Sequence, residues 1–214
     1  ASIYTRGWLV HDIGIPLQEI QWIQAGVNDP GRQEKVKLNL PEGVSYTAQP
    51  KKSLTKMLMD GEIDCVMSAH PPAPVELGED TIVHLYPDYQ EVEEQYYKDT
   101  GIFPIMHVIA LKGDVFRENP WIAQNLLKAF TEAKDRALFR VQEMTATRVP
   151  YAWCYEGAKK ARSLFGDDFF PYGVEANRTT LDAFLQYGFE QGVCQRKVAV
   201  EELFPEEVQS EFRV

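Results

Sequence analysis

The stretch VSYTAQPKKSLTKMLMDGEIDCVMSAHPP, residues 44–72, decides the fold class of this sequence. Residues 44–48 are typical of a strand, and Ser53 is a favourable N-cap for a helix that ends at Asp60. Residues 63–69 form a strongly apolar run that prolines interrupt, which predicts a second strand. Strand, helix and strand in this order predict a parallel sheet and therefore the α/β class.

The segments on either side extend this pattern. Tyr4, Trp8 and His11 have helical spacing and predict a short helix that ends near Gly14. Further predicted elements are a strand at 20–24, a polar loop at 26–37, a charged surface helix at 88–100, an apolar strand at 105–111, and helices that begin near Asn119, Tyr155 and Asn177. The first hundred residues alternate strand and helix, and the second hundred are mostly helical.

The amino-acid composition limits the kinds of partner that the protein could bind. The 214 residues carry 22 basic and 32 acidic side chains, a net charge of −10 that argues against nucleic acid. No apolar run is long enough for a membrane span. The acids cluster at 76–99 and 201–213, so a basic site for a small anion remains compatible with the charge. Cys65, Cys154 and Cys194 are an odd number, which predicts buried thiols in a reducing cytoplasm rather than disulfides.

Candidate site residues come from unusual local contexts, because the standard catalytic signatures are absent from the sequence. The four histidines do not have the spacing of a metal site, and we expect no metal. Asp29, Arg32 and Lys35 lie in the loop that contains the turn Asn-Asp-Pro-Gly, where the two cations could hold a carboxylate. A solvated connector is the alternative.

Three more residues are candidates. Arg6 is predicted in the first turn of the opening helix, a position that favours a bound anion, with an exposed terminal arginine as the alternative. His70 directly follows the apolar run 63–69, and ligands of open α/β sheets gather past the carboxyl ends of strands. His107 lies inside the predicted strand 105–111, where a satisfied core histidine is the alternative.

The unusual segments resemble one family in the same order along the chain. The matching stretches are DPGR (29–32), EKVKL (34–38), GEID (61–64), LYPDY (85–89), TGIFPIMH (100–107), PW (120–121), KAF (128–130), GDDF (166–169), PYG (171–173), NR (177–178) and EQG (190–192). From Tyr4 to Val214 the chain resembles the 4,5-dihydroxyphthalate decarboxylase family.

The resemblance implies an architecture. That family is similar in fold to type II periplasmic binding proteins, which have two α/β lobes with the ligand between them. Residues 1–100 would then form most of the second lobe, and residues 101–214 would return to the first lobe as a mostly helical part. Family members begin with a further stretch, so we expect the first lobe to be incomplete in this chain.

The resemblance also implies a function. The family name implies non-oxidative decarboxylation of a dihydroxyaromatic carboxylate such as 4,5-dihydroxyphthalate, without an organic cofactor. We expect Arg6 and Arg32 to hold the carboxylate, with Thr5, Asp29 and Lys35 as further substrate-binding residues, and His107 or His70 to act as acid or phenol partner.

Two alternatives to this enzyme remain. One is a solute-binding protein that captures a small carboxylate anion without chemistry, and the other is a fragment without independent function. The favoured enzyme hypothesis predicts a cytoplasmic protein, and the binding-protein hypothesis a periplasmic one. A homo-oligomer is compatible with both.

Overall fold

The computed structural model describes residues 2–34, 38–146 and 148–209, and within these ranges the protein is mixed α/β with a small parallel sheet. The sheet has two described strands, β1 (Gln21–Gly26) and β2 (Ser45–Ser53). They pair in parallel with Gln21 opposite Ser45, and the register shifts between Gln24 and Gly26. The prediction of the α/β class with parallel strands is confirmed.

The link from β2 into the next helix follows the sequence signals. Helix α2 (Leu54–Met59) begins directly after Ser53, whose hydroxyl accepts a hydrogen bond from the Lys56 amide at 3.4 Å. The N-cap prediction at Ser53 is therefore confirmed. The Thr55 amide also donates to the Val27 carbonyl at 2.9 Å, which ties the start of α2 to the end of β1.

Two predicted strands are wrong. Residues 63–69 and 105–111 have no strand structure, and β2 pairs instead with β1, which precedes it. The reason is that an extended segment becomes a strand only when a neighbour pairs its backbone groups, whatever its apolar content. Val108 and Ile109 are 63% and 64% exposed, so this apolar stretch is not packed within the described structure.

The chain divides into two compact units, and the first comprises Ala1–Glu93, Pro104–Met106 and Ala183–Val198. Besides the sheet and α2, its described elements are α1 (Ser2–Trp8), a π-helical turn (Leu9–Ile13), a 3-10 turn (Leu17–Glu19), and α3 (Ala73–Glu76). The opening helix was predicted to end near Gly14, and Gly14 caps the π-helical turn.

The second unit comprises Glu94–Phe103, His107–Asp182 and Ala199–Val214. Its described elements are the helices α5 (Gly113–Glu118), α6 (Trp121–Gln142), α7 (Cys154–Phe165) and α9 (Val200–Leu203), with 3-10 turns at Glu175–Asn177 and Glu206–Val208. The helices α4 (Tyr89–Thr100) and α8 (Arg178–Glu190) each contribute residues to both units.

Predicted helices are present, but two predicted caps differ. Pro120, not Asn119, is the residue before α6, because the Asn119 side chain donates back to the Val115 carbonyl at 3.5 Å. The Asn177 side chain donates to the carbonyls of Pro171 and Gly173 at 2.9 and 2.8 Å, so it holds the preceding loop instead of capping α8.

A buried lysine anchors α6 within the second unit. The Lys134 side chain is 6% exposed, lies 3.0 Å from Asp135 and forms an ion pair with Asp168. Burial alone would lower the pKa of Lys134, but the hydrogen bonds to Asp168 and Asp135 reverse this effect and leave the pKa raised. The lysine is therefore held as a cation and joins α6 to the loop after α7.

Two remaining expectations can be compared with the structure. No helix in the described part of the chain is long and apolar enough to cross a membrane. None of the three cysteines forms a disulfide, but Cys65 is exposed, so its predicted burial is wrong, and Cys154 and Cys194 are half-buried. Cys65 is exposed because residues 63–69 do not enter a sheet.

Candidate functional sites

Asn28 organises the carboxyl end of β1. Its side-chain oxygen accepts hydrogen bonds from the Thr55 hydroxyl and from the Ala73 amide, both at 2.8 Å. Its side-chain nitrogen donates to the Pro71 carbonyl at 3.3 Å. One amide therefore joins the loop after β1 to the first turn of α2 and to the segment before α3.

The turn after β1 is tight because Gly26 lacks a side chain. A Cβ at Gly26 would lie 1.9 Å from the Asp29 carbonyl oxygen and 3.7 Å from the Arg32 Cβ. The Gly31 amide donates to the Pro50 carbonyl at 2.8 Å, which holds the turn against β2. Asp29 and Arg32 are thereby placed, exposed, at the carboxyl end of β1.

His70 lies near the same edge of the sheet, although it does not follow a strand as the sequence predicted. The carbonyl of its neighbour Pro71 accepts a hydrogen bond from Asn28, and the His70 amide donates to the Ser68 hydroxyl at 3.2 Å. We call Asn28, Asp29, Arg32 and His70 the sheet-edge cluster. Asn28 was missed as a site residue, although an asparagine at the start of a turn is a known signal for such side-chain bonds.

Arg6 lies in a second environment within the first unit. It belongs to the last turn of α1, not the first, so the prediction that it acts with a helix N-terminus is wrong. Its Nε donates to the Gln191 side-chain oxygen at 2.8 Å, and its guanidinium carbon is 6.0 Å from the centre of the Trp22 ring. Burial lowers the pKa of Arg6, and no carboxylate among the described residues pairs with it.

A histidine–glutamate pair lies beside Arg6. The Nε2 atom of His11, in the π-helical turn, is 2.6 Å from Oε2 of Glu190, and the His11 ring stacks on Tyr187 with centroids 4.9 Å apart. Burial raises the pKa of Glu190, but the hydrogen bonds from Gln186 and His11 outweigh this and lower it. We call Arg6, His11, Trp22, Glu190 and Gln191 the Arg6 cluster.

The sequence analysis did not find His11, Glu190 or Gln191 as site residues. His11 and Glu190 are 179 positions apart, and Arg6 and Gln191 are 185 apart. No spacing rule connects residues at that separation. A signal was still present, because Glu190 and Gln191 lie in one of the stretches that carry the family resemblance.

The two clusters lie towards opposite ends of β1. Trp22 is near the start of the strand and Gly26 ends it, so roughly 13 Å of strand separates them at about 3.3 Å per residue. Arg6 and Arg32 therefore have different surroundings, Gln191 and Trp22 around the half-buried Arg6 and an exposed turn around Arg32.

Three further residues, His107, Thr5 and Lys35, were predicted as site residues. His107 belongs to the second unit, and it is exposed in a segment without helix or strand, so neither the predicted strand nor a buried core position is correct. Thr5 is half-buried on α1, and Lys35 lies outside the described residues. Among the described residues, no group of three or more His, Cys, Asp or Glu side chains could hold a metal ion.

The second unit contains a cavity of about 460 Å³ beside α6. Its lining consists of Glu132, Asp135, Arg136, Phe139, Arg140 and Arg148. Glu132 accepts hydrogen bonds from Arg136, and Asp135 lies beside Lys134. Because its acids offset two of its three arginines, this cavity is a weaker anion site than the environment of Arg6.

The fold defines a class, a mixed α/β protein with a small parallel sheet. The comparisons with known proteins show what the chain is similar to. No family model matches the chain. It is 34% identical over 205 residues, 95% of its length, to a 4,5-dihydroxyphthalate decarboxylase of Comamonas testosteroni. It is 30% identical over 99 residues, 46% of its length, to a 4,5-dihydroxyphthalate decarboxylase of Pseudomonas putida.

These matches confirm the resemblance to the 4,5-dihydroxyphthalate decarboxylase family, which covers nearly the whole chain. The matches cover a smaller share of the relatives than of this chain. The chain spans 62% of the Comamonas protein, and its match to the Pseudomonas protein spans 38% of that protein.

Proposed function

We propose that the protein is a decarboxylase-like enzyme that acts on an aromatic carboxylate such as 4,5-dihydroxyphthalate. The observation that carries this proposal is the 34% identity over 95% of the chain to a relative named for that reaction. Arg6, with which no carboxylate among the described residues pairs, supports it, since a substrate carboxylate needs a cationic partner. The two-lobe fold, with lobes at 1–100 and 101–214, is part of the same proposal.

The reaction requires a proton and a leaving carboxylate. An acid protonates the ring carbon that carries the carboxylate, the bond to that carboxylate breaks, and its electron pair returns to the ring as CO2 leaves. The enzyme must hold the second carboxylate and place the acid beside the ring. Arg6 and Arg32 are the proposed carboxylate partners, supported by Thr5, Asp29 and Lys35, and His70 and His107 are the proposed acids.

The structure supports these residues unequally. Arg6 is half-buried and its desolvated guanidinium gains more from an anion than an exposed one does. Arg32 is exposed at the sheet edge, so its loss costs less than loss of a buried clamp. Arg6→Gln is therefore expected to weaken carboxylate binding more than Arg32→Gln.

A solute-binding protein for a small carboxylate is the second candidate function. The environment of Arg6 favours it, because a half-buried cation between an amide and an indole ring binds an anion without any chemical step. Both functions use the same arginines. They differ in whether substrate is consumed.

The test is incubation of the purified protein with 4,5-dihydroxyphthalate, with detection of CO2 and 3,4-dihydroxybenzoate. Phthalate, which lacks the hydroxyl groups that activate the ring, is titrated in parallel as a matched ligand that does not react. Turnover supports the decarboxylase. Binding of both compounds without turnover supports the solute-binding protein, and binding of neither contradicts both proposals.

A further inference from the structure

The Arg6 cluster contains a histidine–glutamate pair that has no role in the function proposed above. His11 and Glu190 lie 2.6 Å apart, and the neighbouring residue Gln191 accepts from Arg6 at 2.8 Å. The last residue of α8 therefore contacts His11 in the π-helical turn, and the residue after it contacts Arg6 in α1. These contacts tie the cation and the imidazole to the same end of α8.

The surroundings orient the imidazole. Its ring stacks on Tyr187, and a Cβ on Gly7 would lie 2.2 Å from that tyrosine ring, so Tyr187 rests directly against the helix backbone. The hydrogen bond between Nε2 and Glu190 uses one ring nitrogen. Nδ1 is the nitrogen that remains for a ligand. A carboxylate that orients a histidine in this way is the usual support for a general acid or base.

The backbone at His11 is also unusual. Residues Leu9–Ile13 form a π-helical turn, a form that is rare and frequently found at functional sites. His11 lies in the middle of this turn. With the indole of Trp22 beside Arg6, the cluster offers a cation for a carboxylate, a flat apolar surface for a ring, and a proton carrier.

We propose that Arg6, Trp22 and the His11–Glu190 pair form one binding site for an aromatic carboxylate, in which His11 is the proton donor. This inference rests on the proposed function and replaces His70 and His107 as the acid. Nδ1 of His11 gives its proton to the ring carbon, the bond to the leaving carboxylate breaks with its electron pair returning to the ring, and His11 regains a proton from water. Glu190 is a positioning residue that holds the imidazole.

The first experiment tests the site through binding and does not depend on turnover. Protein with labelled histidines is titrated with phthalate and followed by NMR, and the signals of all four histidines (His11, His70, His84 and His107) are assigned by replacing each in turn with glutamine. The signal of His11 is expected to shift, and Arg6→Gln is expected to weaken phthalate binding at least about tenfold. A shift of His70 with a larger effect of Arg32→Gln, a shift of His107, or no binding at all overturns the site.

The second experiment tests the donor. His11→Gln keeps a hydrogen-bonding side chain, and it is expected to lower kcat about 100-fold while KM changes less than about threefold. His84→Gln, in the same unit but outside the Arg6 cluster, is the matched control and should retain activity. An unchanged kcat in His11→Gln overturns the donor role.

Glu190→Gln distinguishes positioning from folding. It should move the pH profile of kcat/KM, whereas a merely structural role would lower activity equally at every pH. The charged or titratable groups that face the pair are Asp12 and Arg6 on the same helical segment, Tyr187 on α8, and Lys197 beyond it. No turnover by the unsubstituted protein contradicts the proposed function and the donor role, and the phthalate titration still decides the binding site.

Discussion

The sheet-edge cluster and the Arg6 cluster both place an arginine near β1, but different interactions hold them. At the sheet edge, Asn28 binds backbone and hydroxyl groups from segments at most 45 positions away, and Arg32 remains exposed. In the Arg6 cluster, the contacts run between α1 and the end of α8, across 185 positions, and Arg6 is half-buried. Local turn interactions therefore form an exposed edge, while packing between distant parts of the sequence forms the surroundings in which Arg6 is half-buried.

Gly26 lies beside the sheet-edge cluster and Gly7 beside the Arg6 cluster, and a side chain at either position would collide with a neighbour, which gives the sharpest test of the comparison. Gly26→Ala places a Cβ 1.9 Å from the backbone oxygen of Asp29, which cannot move without opening the turn. The free energy of unfolding should fall by about 3 kcal/mol or more. Gly7→Ala meets the buried ring of Tyr187, a side chain that can shift more easily than backbone, and alanine gains about 1 kcal/mol in helix propensity, so its net cost should be smaller, about 2 kcal/mol.

Urea unfolding of both variants measures this difference. Gly157→Ala, where a Cβ meets nothing within 4 Å, is the reference substitution for the backbone effect of alanine in a helix. If Gly7→Ala costs as much as Gly26→Ala, the Arg6 cluster is as rigid as the sheet edge. The distinction between them would then fail.

Asn28→Ala removes the side chain that holds the sheet edge. Three hydrogen bonds are lost, and because Asn28 is exposed and water replaces part of them, the cost should be about 1–2 kcal/mol. Asn28→Asp keeps the acceptor for Thr55 and Ala73 but loses the donor to Pro71, so it should cost less. The measurement is the free energy of unfolding by urea at neutral pH.

The contrasting result for Asn28 is also informative. If Asn28→Ala leaves stability unchanged but Asn28→Asp lowers it, a negative charge disturbs the turn and the hydrogen bonds contribute little. Phthalate binding should be unaffected by Asn28→Ala if the Arg6 cluster is the site. A loss of binding would place the ligand at the sheet edge.

The sequence predicted those parts of the fold that short-range rules decide. The α2 cap at Ser53, the turn after β1 and the helix that ends at Gly14 follow from residues within a few positions of each other. The strands at 63–69 and 105–111 failed because strand formation depends on a partner, and apolar content says nothing about which segment supplies it. For the same reason, the sequence did not predict that β1 pairs with β2.

The candidate site shows the same limit. Asp29, Arg32 and His70 were found individually, and their common link, Asn28, could have been inferred from its turn position. The pairing of His11 with Glu190 could not be inferred, because it depends on how α8 packs against α1. Arg6 was singled out for its chemistry, but the partner assigned to it, a helix N-terminus, was wrong.

The smallest expected effect concerns the pH dependence of the His11–Glu190 pair. The pKa of Glu190 in the folded protein is below its usual value of 4.5, so its charged form is stabilised by folding. This contribution is present above about pH 4.5 and is lost as pH falls through the lowered pKa. Because the side chain is 34% exposed, solvent screens the pair, and the contribution should stay below about 1 kcal/mol.

Glu190→Gln should therefore reduce stability more at about pH 7 than at about pH 3, because the contribution of the carboxylate is lost as pH falls through its lowered pKa. Urea unfolding at the two pH values gives the difference, with Glu19→Gln, an exposed glutamate of the same unit, as the control. A loss of stability that is equal at both pH values would mean that Glu190 contributes through packing alone. The charge of Glu190 would then not help to hold His11. The sheet-edge cluster, with His70, would be the better candidate for the site of the reaction.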